Sequence, residues 1–168
     1  MKISHLLALF FLFASMYSLA ADKKIKICKN IFIESAEDIS FNSNEILFIC
    51  GKSEIQEWKN IPEYQTKIHL KASLQAKGYH FLKFKNIGKR LIVKTGPRVN
   101  IDRVVFKGLD IDIQQNTYID PLGEAMTPNK LETIKGYFLS KLSKSGYPCA
   151  NVDVKGFAKE KLVEVTVN

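Results

Sequence analysis

The sequence is poor in the residues that build chemistry. Its 168 positions hold three cysteines, three histidines and one tryptophan. Cys28, Cys50 and Cys149 form no paired Cys-x-x-Cys, and His5, His69 and His80 do not cluster, which argues against a metal site. No Gly-x-Ser-x-Gly, no His-Glu-x-x-His and no phosphate-cradling glycine loop occurs, so neither catalysis nor a cofactor is expected. Asp110, Asp112 and Asp120 fall in a loop-like stretch and read as ordinary surface carboxylates. No nucleic-acid recognition motif is present. Beyond residue 21 there is no second long apolar run, which points to a chain that is soluble or peripheral to a membrane.

What is there starts with an address. Lys2 and His5 form a short polar start, and Leu6 to Tyr17 is apolar apart from Ser15. Ser18-Leu19-Ala20 then places small residues where a signal peptidase reads, so residues 1–21 are expected to be a secretory signal. The competing reading, a membrane anchor, would need about 20 apolar residues, more than this run supplies. All acidic residues and all but one of the 25 basic ones lie beyond the signal, so the net charge of +8 belongs almost wholly to the mature chain. The lysines are scattered. Scattered lysines ordinarily mean a solvated surface, and their functional reading is weak attraction to anionic lipid headgroups or acidic partners.

An exported chain with three cysteines is expected to hold one disulfide and one spare thiol. Cys28 and Cys50 sit on strand-like segments around a turn-rich stretch and are expected to bridge as neighbours in a hairpin. The bridge would close a loop of about 20 residues and stabilise by roughly 3 kcal/mol. Cys149 is expected to stay free and partly buried.

Along the mature chain, Ile25 to Ile33 is β-branched and reads as a strand, Glu34 to Asn44 as turns, and Glu45 to Cys50 as a second short strand. Ser53-Glu54-Ile55-Gln56 is a capping box that opens a short helix. Pro62 then starts a helix over 62–77, with Tyr64, Ile68 and Ala72 on one row, Leu70 and Leu74 on another, and Gly78 as its stop. Two strands follow, around Leu82 to Lys85 and Arg90 to Lys94, joined by a turn at Asn86 to Lys89.

After Gly96-Pro97 the order begins again. Val99 to Lys107 reads as a strand whose apolar phase slips near Asp102, a sign of a bulge. Residues 110–123 are weakly patterned, with room for a short helix. Thr127 and Pro128 open a helix with Leu131, Ile134, Phe138 and Leu142 on one face, and Gly146 ends it. Strands around Ala150 to Val154 and Val163 to Val167 close the chain. Leu70, Leu74, Gly78 and Tyr79 recur as Phe138, Leu142, Gly146 and Tyr147, 68 residues later in each case. This is an internal repeat of a small α+β unit.

The string Gly96-Pro97-Arg98-Val99-Asn100-Ile101-Asp102-Arg103-Val104-Val105-Phe106-Lys107-Gly108 resembles the opening strand of a polypeptide-transport-associated (POTRA) domain. Leu142 to Val152, with its Gly-Tyr-Pro, is similar to that family's helix-to-strand junction. Trp58 to Gln65 and Gln75 to Tyr79 resemble a more divergent copy. The resemblance implies two β-α-α-β-β units, each with two helices on a three-stranded sheet, the first with an extra N-terminal strand. The expected domains are 22–96 and 97–168. It also implies a periplasmic module near the outer membrane that meets outer-membrane protein clients or assembly components. No series of alternating ten-residue segments follows the last strand, so the barrel that accompanies such domains is not expected here. A soluble module and the front end of a truncated assembly factor both fit, as does an exported small binding or inhibitor protein that reuses the fold.

A three-stranded sheet exposes two edges to which an extended client can add a strand. The candidate edges are His80, Phe81, Leu82, Lys83, Phe84 and Lys85, and Cys149, Ala150, Asn151, Val152, Asp153, Val154 and Lys155. Lys83, Lys85 and Lys155 read equally well as protection of those edges against aggregation. Tyr79 and Tyr147 are expected to pack as core corners, and Trp58 between two helices. Mass spectrometry of the exported protein is expected to find an N-terminus at Ala21 or Asp22; an intact Met1 would mean an anchor instead.

Overall fold

A computed structural model of the chain describes residues 22–51, 62–108 and 121–168. The signal segment, the Ser53 capping box with the helix it opens, Trp58 and all but the last three residues of the 110–123 stretch, where a short helix is expected, lie outside these residues.

The chain opens with a hairpin rather than one strand. Strand β1 (Lys23–Cys28) turns at Lys29-Asn30 and returns antiparallel as β2 (Ile31–Ser35). The expectation of a single strand from Ile25 to Ile33 missed this turn, because β-branched residues flank it on both sides. The next element is a second correction. Ser43–Cys50 is a helix, α1, and not the expected strand. Asn42 accepts from the Glu45 amide at 2.9 Å, and Glu45 accepts from the Asn42 amide at 2.8 Å, a reciprocal capping box. Four consecutive apolar residues carry no period of their own, so the cap decides the element.

Helix α2 (Glu63–Gln75) starts behind Pro62 as expected. It buries Thr66, Leu70 and Leu74, while Tyr64 and Ile68 stay exposed. Of the two apolar rows, only the leucine row faces the core. Strands β3 (Lys83–Ile87) and β4 (Arg90–Lys94) then form an antiparallel hairpin around Gly88-Lys89. Strand β4 lies parallel to β2, so the first sheet has the order β1-β2-β4-β3. Parallel neighbours need a long crossover, and the helical segment between β2 and β3 provides it. Ile33, Ile49, Leu70, Leu74, Tyr79, Leu91 and Val93 fill the core between helices and sheet.

The disulfide Cys28–Cys50 is present, with Cα atoms 5.9 Å apart. It ties the end of β1 to the end of α1, not two strands of one hairpin as expected. Its closed loop spans a sequence separation of 22, for which loop entropy implies roughly 3 kcal/mol of stabilisation.

Among the described residues the second unit repeats the order with one strand fewer. Strand β5 (Arg103–Lys107) runs parallel to β7 (Leu162–Val167), and β6 (Val152–Phe157) pairs antiparallel with β7, giving β5-β7-β6. Before β5, the Ile101 amide donates to the Glu124 carbonyl and Met126 donates back to Val99. At Asp102 the partner changes to Lys161 and the β7 side. The apolar phase slip near Asp102 therefore marks a change of partner strand. Helix α3 (Pro128–Lys144), capped by Thr127, buries Ile134, Phe138 and Leu142 over this sheet. Each such side chain contributes about 1.5–3 kcal/mol by leaving water.

The repeated Gly-Tyr stops are matched in geometry. Gly78 and Gly146 have φ of 92° and 93°. The amides of Tyr79 and Tyr147 reach back to the carbonyls of Leu74 and Leu142 at 3.0 and 2.9 Å, the six-to-one bond of a Schellman cap. The tyrosines themselves differ. Tyr79 is buried and donates to Glu37 Oε2 at 3.0 Å, whereas Tyr147 is exposed, contrary to its expected packing. In the first unit the segment around Glu37 lies over the corner.

Burial opposes ionisation of Glu45, but its bonds to Lys77 and to the Asn42 amide outweigh that and hold its carboxyl below the ordinary value of 4.5. The capping box is therefore stabilising above pH 4.5 and is lost as pH falls through the lowered folded value. Asn42→Ala is expected to cost about 1 kcal/mol in denaturant unfolding. Glu45→Gln is expected to destabilise at neutral pH, the deficit shrinking towards zero on acidification. A deficit that persists unchanged in acid would refute the charged cap.

Candidate functional site

Of the two expected segments, Lys83 to Lys85 and Val152 to Lys155 lie on edge strands of the described sheets, whereas His80 to Leu82 and Cys149 to Asn151 precede those strands. Strand β3 borders the first sheet and β6 the second. Only parts of each segment are available. His80 Nε2 donates to the Met126 carbonyl at 2.6 Å, tying the first unit to the second. Phe81 packs its backbone beside Gly96, and Leu82 and Phe84 lean on the core. Lys83 and Lys85 are exposed. At the other edge, Cys149 is free and exposed, against the expectation of partial burial, and Ala150 packs against the second core. The cysteine sits in the turn that follows Tyr147, where no element covers it.

The direction of the backbone groups follows from the ladder. Asn151 and Asn168 exchange both hydrogen bonds, at 2.9 and 3.0 Å. In an antiparallel pair such residues alternate with ones whose amide and carbonyl point away. The register Val152↔Val167, Val154↔Val165 and Gly156↔Val163 therefore turns the backbone groups of Val152, Val154 and Gly156 to the open side. Their side chains face the core: Val152 is buried and Val154 packs against it. An incoming strand would thus meet the outward backbone groups of three alternate residues with no side chain of those residues in its way, although the Val154 amide also donates to the Asp153 carboxylate.

Strand β3 offers less. The pair closing a two-residue turn is hydrogen-bonded, so Ile87↔Arg90, Lys85↔Ile92 and Lys83↔Lys94 face inward. Phe84 and Asn86 are left pointing out, and Asn86 Nδ2 is held by Glu63 Oε1 at 2.8 Å. Charge also separates the edges. Lys155 pairs with Asp153 at 2.8 Å. That hydrogen bond lowers the Asp153 carboxyl below its ordinary value and raises the Lys155 ammonium above its own. The β6 edge is close to neutral, whereas Lys83 and Lys85 have no ion-pair partner among the described residues.

Two further edges escaped sequence reasoning. Strand β1 borders the first sheet and covers β2, while β5, the counterpart of β2, remains an edge of the second sheet. The Lys29-Asn30 dipeptide was the available signal for β1. Among the described residues no group of three His, Cys, Asp or Glu is placed to hold a metal. No described helix is long and apolar enough to cross a membrane.

Two small α+β units in tandem share three strands in the order first-third-second, β2-β4-β3 in one and β5-β7-β6 in the other, with helix on one face, and this defines the class of fold. It is the fold of tandem POTRA domains. The chain is similar to POTRA1-2 of the periplasmic domain of Omp85 from Anabaena, with a TM-score of 0.52 and 10% identity, over 87% of this chain and 96% of that one. It is similar to POTRA1-3 of the same periplasmic domain with the same score and identity, and spans 62% of that longer chain. At this identity the likeness is one of fold. No protein-family model matches the chain, and no curated protein matches it in sequence.

Cys149 is expected to react with a thiol reagent in the native state, one equivalent per chain without denaturant. Protection until unfolding would contradict its exposure.

Proposed function

We propose that this chain is a periplasmic polypeptide-binding module that assists outer-membrane protein assembly or secretion, with 22–96 and 97–168 as its two domains. It binds extended clients by strand addition at β6. The observation that carries this reading is the row of outward backbone groups on Val152, Val154 and Gly156, on an edge that is nearly neutral. Main-chain pairing requires no particular client sequence, which suits a module that meets many unfolded chains. Strand β3 is the poorer acceptor, since its lysines and the Asn86–Glu63 bond guard it. The fold shared with POTRA1-2 of an Omp85 periplasmic domain supports the periplasmic compartment.

The test is chemical-shift mapping with a peptide from an outer-membrane barrel strand. Shifts are expected along 151–157 and not on α2 or α3. Val154→Pro removes an amide that points away from β7, so the sheet is expected to survive with little loss of stability while peptide binding disappears. Shifts confined to the helices, or full binding by the proline variant, would refute edge pairing. A pull-down from envelope extract that recovers one discrete enzyme, and no outer-membrane protein, would assign the fold to an inhibitor.

A further inference from the structure

The lysines that are scattered in sequence are gathered by the first sheet. Cross-strand partners lie side by side on one face, and successive residues alternate between faces. One row across all four strands reads Lys26, Phe32, Ile92, Lys85. The next reads Lys24, Glu34, Lys94, Lys83, and Arg90 beside Ile87 begins a third. The opposite face carries Ile33, Val93 and Phe84 against the helices, so the rows point outward. Six cations, all exposed, thus share one face with a single carboxylate, Glu34; Asp22 adds a second by pairing with Lys94 at 2.6 Å. Among the described residues Lys26, Lys83, Lys85 and Arg90 make no ion pair. Phe32 lies between two of the cations, 5.1 Å from Lys24 Nζ and 5.8 Å from the Arg90 guanidinium.

We propose that this outer face of the first sheet docks on an anionic phospholipid surface. The face is four strands broad and bears its charge as a two-dimensional array, about 4.8 Å apart between strands and about 6.6 Å along them. Such an array meets many headgroup phosphates at once. Five of the six cations are lysines, point charges without the bidentate geometry that singles out one carboxylate. An acidic polypeptide would need a track along one line, whereas the charges here flank the partly exposed Phe32 on both sides, with Ile92 buried beneath them. Ile87, half exposed at the end of the face, supplies an apolar contact for the interfacial zone. The face is separate from β6, so membrane docking leaves the proposed client edge in the other unit free.

The experiment is co-sedimentation of the mature chain with vesicles of phosphatidylcholine alone, and of phosphatidylcholine and phosphatidylglycerol in equal parts. Binding is expected only to the anionic vesicles, weakening as salt rises. The triple variant K26Q/K83Q/K85Q is expected to lower the partition coefficient by on the order of a hundredfold. The triple variant K71Q/K144Q/K159Q removes the same charge elsewhere and is expected to lower it only a few-fold. All six positions are at the surface, and thermal unfolding checks that both variants keep the fold. Equal loss in the two variants would overturn the proposal in favour of net charge. So would absence of binding to anionic vesicles, and saturable binding of polyglutamate without vesicle binding would reassign the face to an acidic polypeptide. Peptide binding at β6 is measured without vesicles, so either reading fails independently of the other.

Discussion

The left-handed turn after a helix is the constraint on which both units depend. Gly78 and Gly146 adopt a φ that side-chain-bearing residues avoid, and this lets the chain leave the helix and run back over it. The position of the next hairpin against the helix follows from that turn. In the first unit the same turn also joins the units. The carbonyls of Lys77 and Gly78 accept from Arg98 Nε at 3.1 Å and the Val99 amide at 2.9 Å. A Cβ on Gly78 would meet Ala125 Cβ and Arg98 Cγ at 3.2 Å, so the bare backbone lets the second unit approach without displacing either side chain. One residue thereby ends a helix, aims a hairpin and seats a neighbour whose first residues bond to the carbonyls of the turn that follows the helix.

From that scaffold the two sheets diverge. In the first, β1 pairs along β2 and the disulfide fastens β1 to α1, so one border of the sheet is stapled to the helical layer. In the second, β5 and β6 both stand at borders of the sheet among the described residues. The same plan thus yields a unit with a broad cationic outer face and a unit with a nearly neutral, accessible edge. The two features reside on different sheets, so the proposed surface docking and the proposed strand addition do not compete for one site.

Much of the fold was legible in the sequence because it is locally encoded. Thr127-Pro128 and Pro62 mark helix starts, Gly78 and Gly146 mark stops, and the alternation in β3-β4 and β6-β7 reads directly as hairpins. Where local signals were weak, reading failed for identifiable reasons. Residues 46–49 are apolar without a period, and the deciding signal was Asn42 with Glu45, a cap that lies before the run. The Lys29-Asn30 turn was hidden in a β-branched stretch. The candidate edges were placed at borders of their sheets, but which backbone groups point outward required the register, known only once Asn151 is seen to pair with Asn168.

The sequence by itself determined the repeat of a small α+β unit and the glycine stops, since the signals within each copy lie a few positions from one another. Tertiary structure alone decided which of two apolar rows on α2 is buried, that Tyr79 is covered and Tyr147 is not, and that Cys28 meets the end of a helix. It also decided that lysines from positions 24 to 94 share one face. Those outcomes depend on strand partners brought together across some 60 residues, and the pairing of β2 with β4 has no local signature. Periodicity tells a residue which side of its own strand it occupies; only the neighbouring strands tell it what company it keeps there.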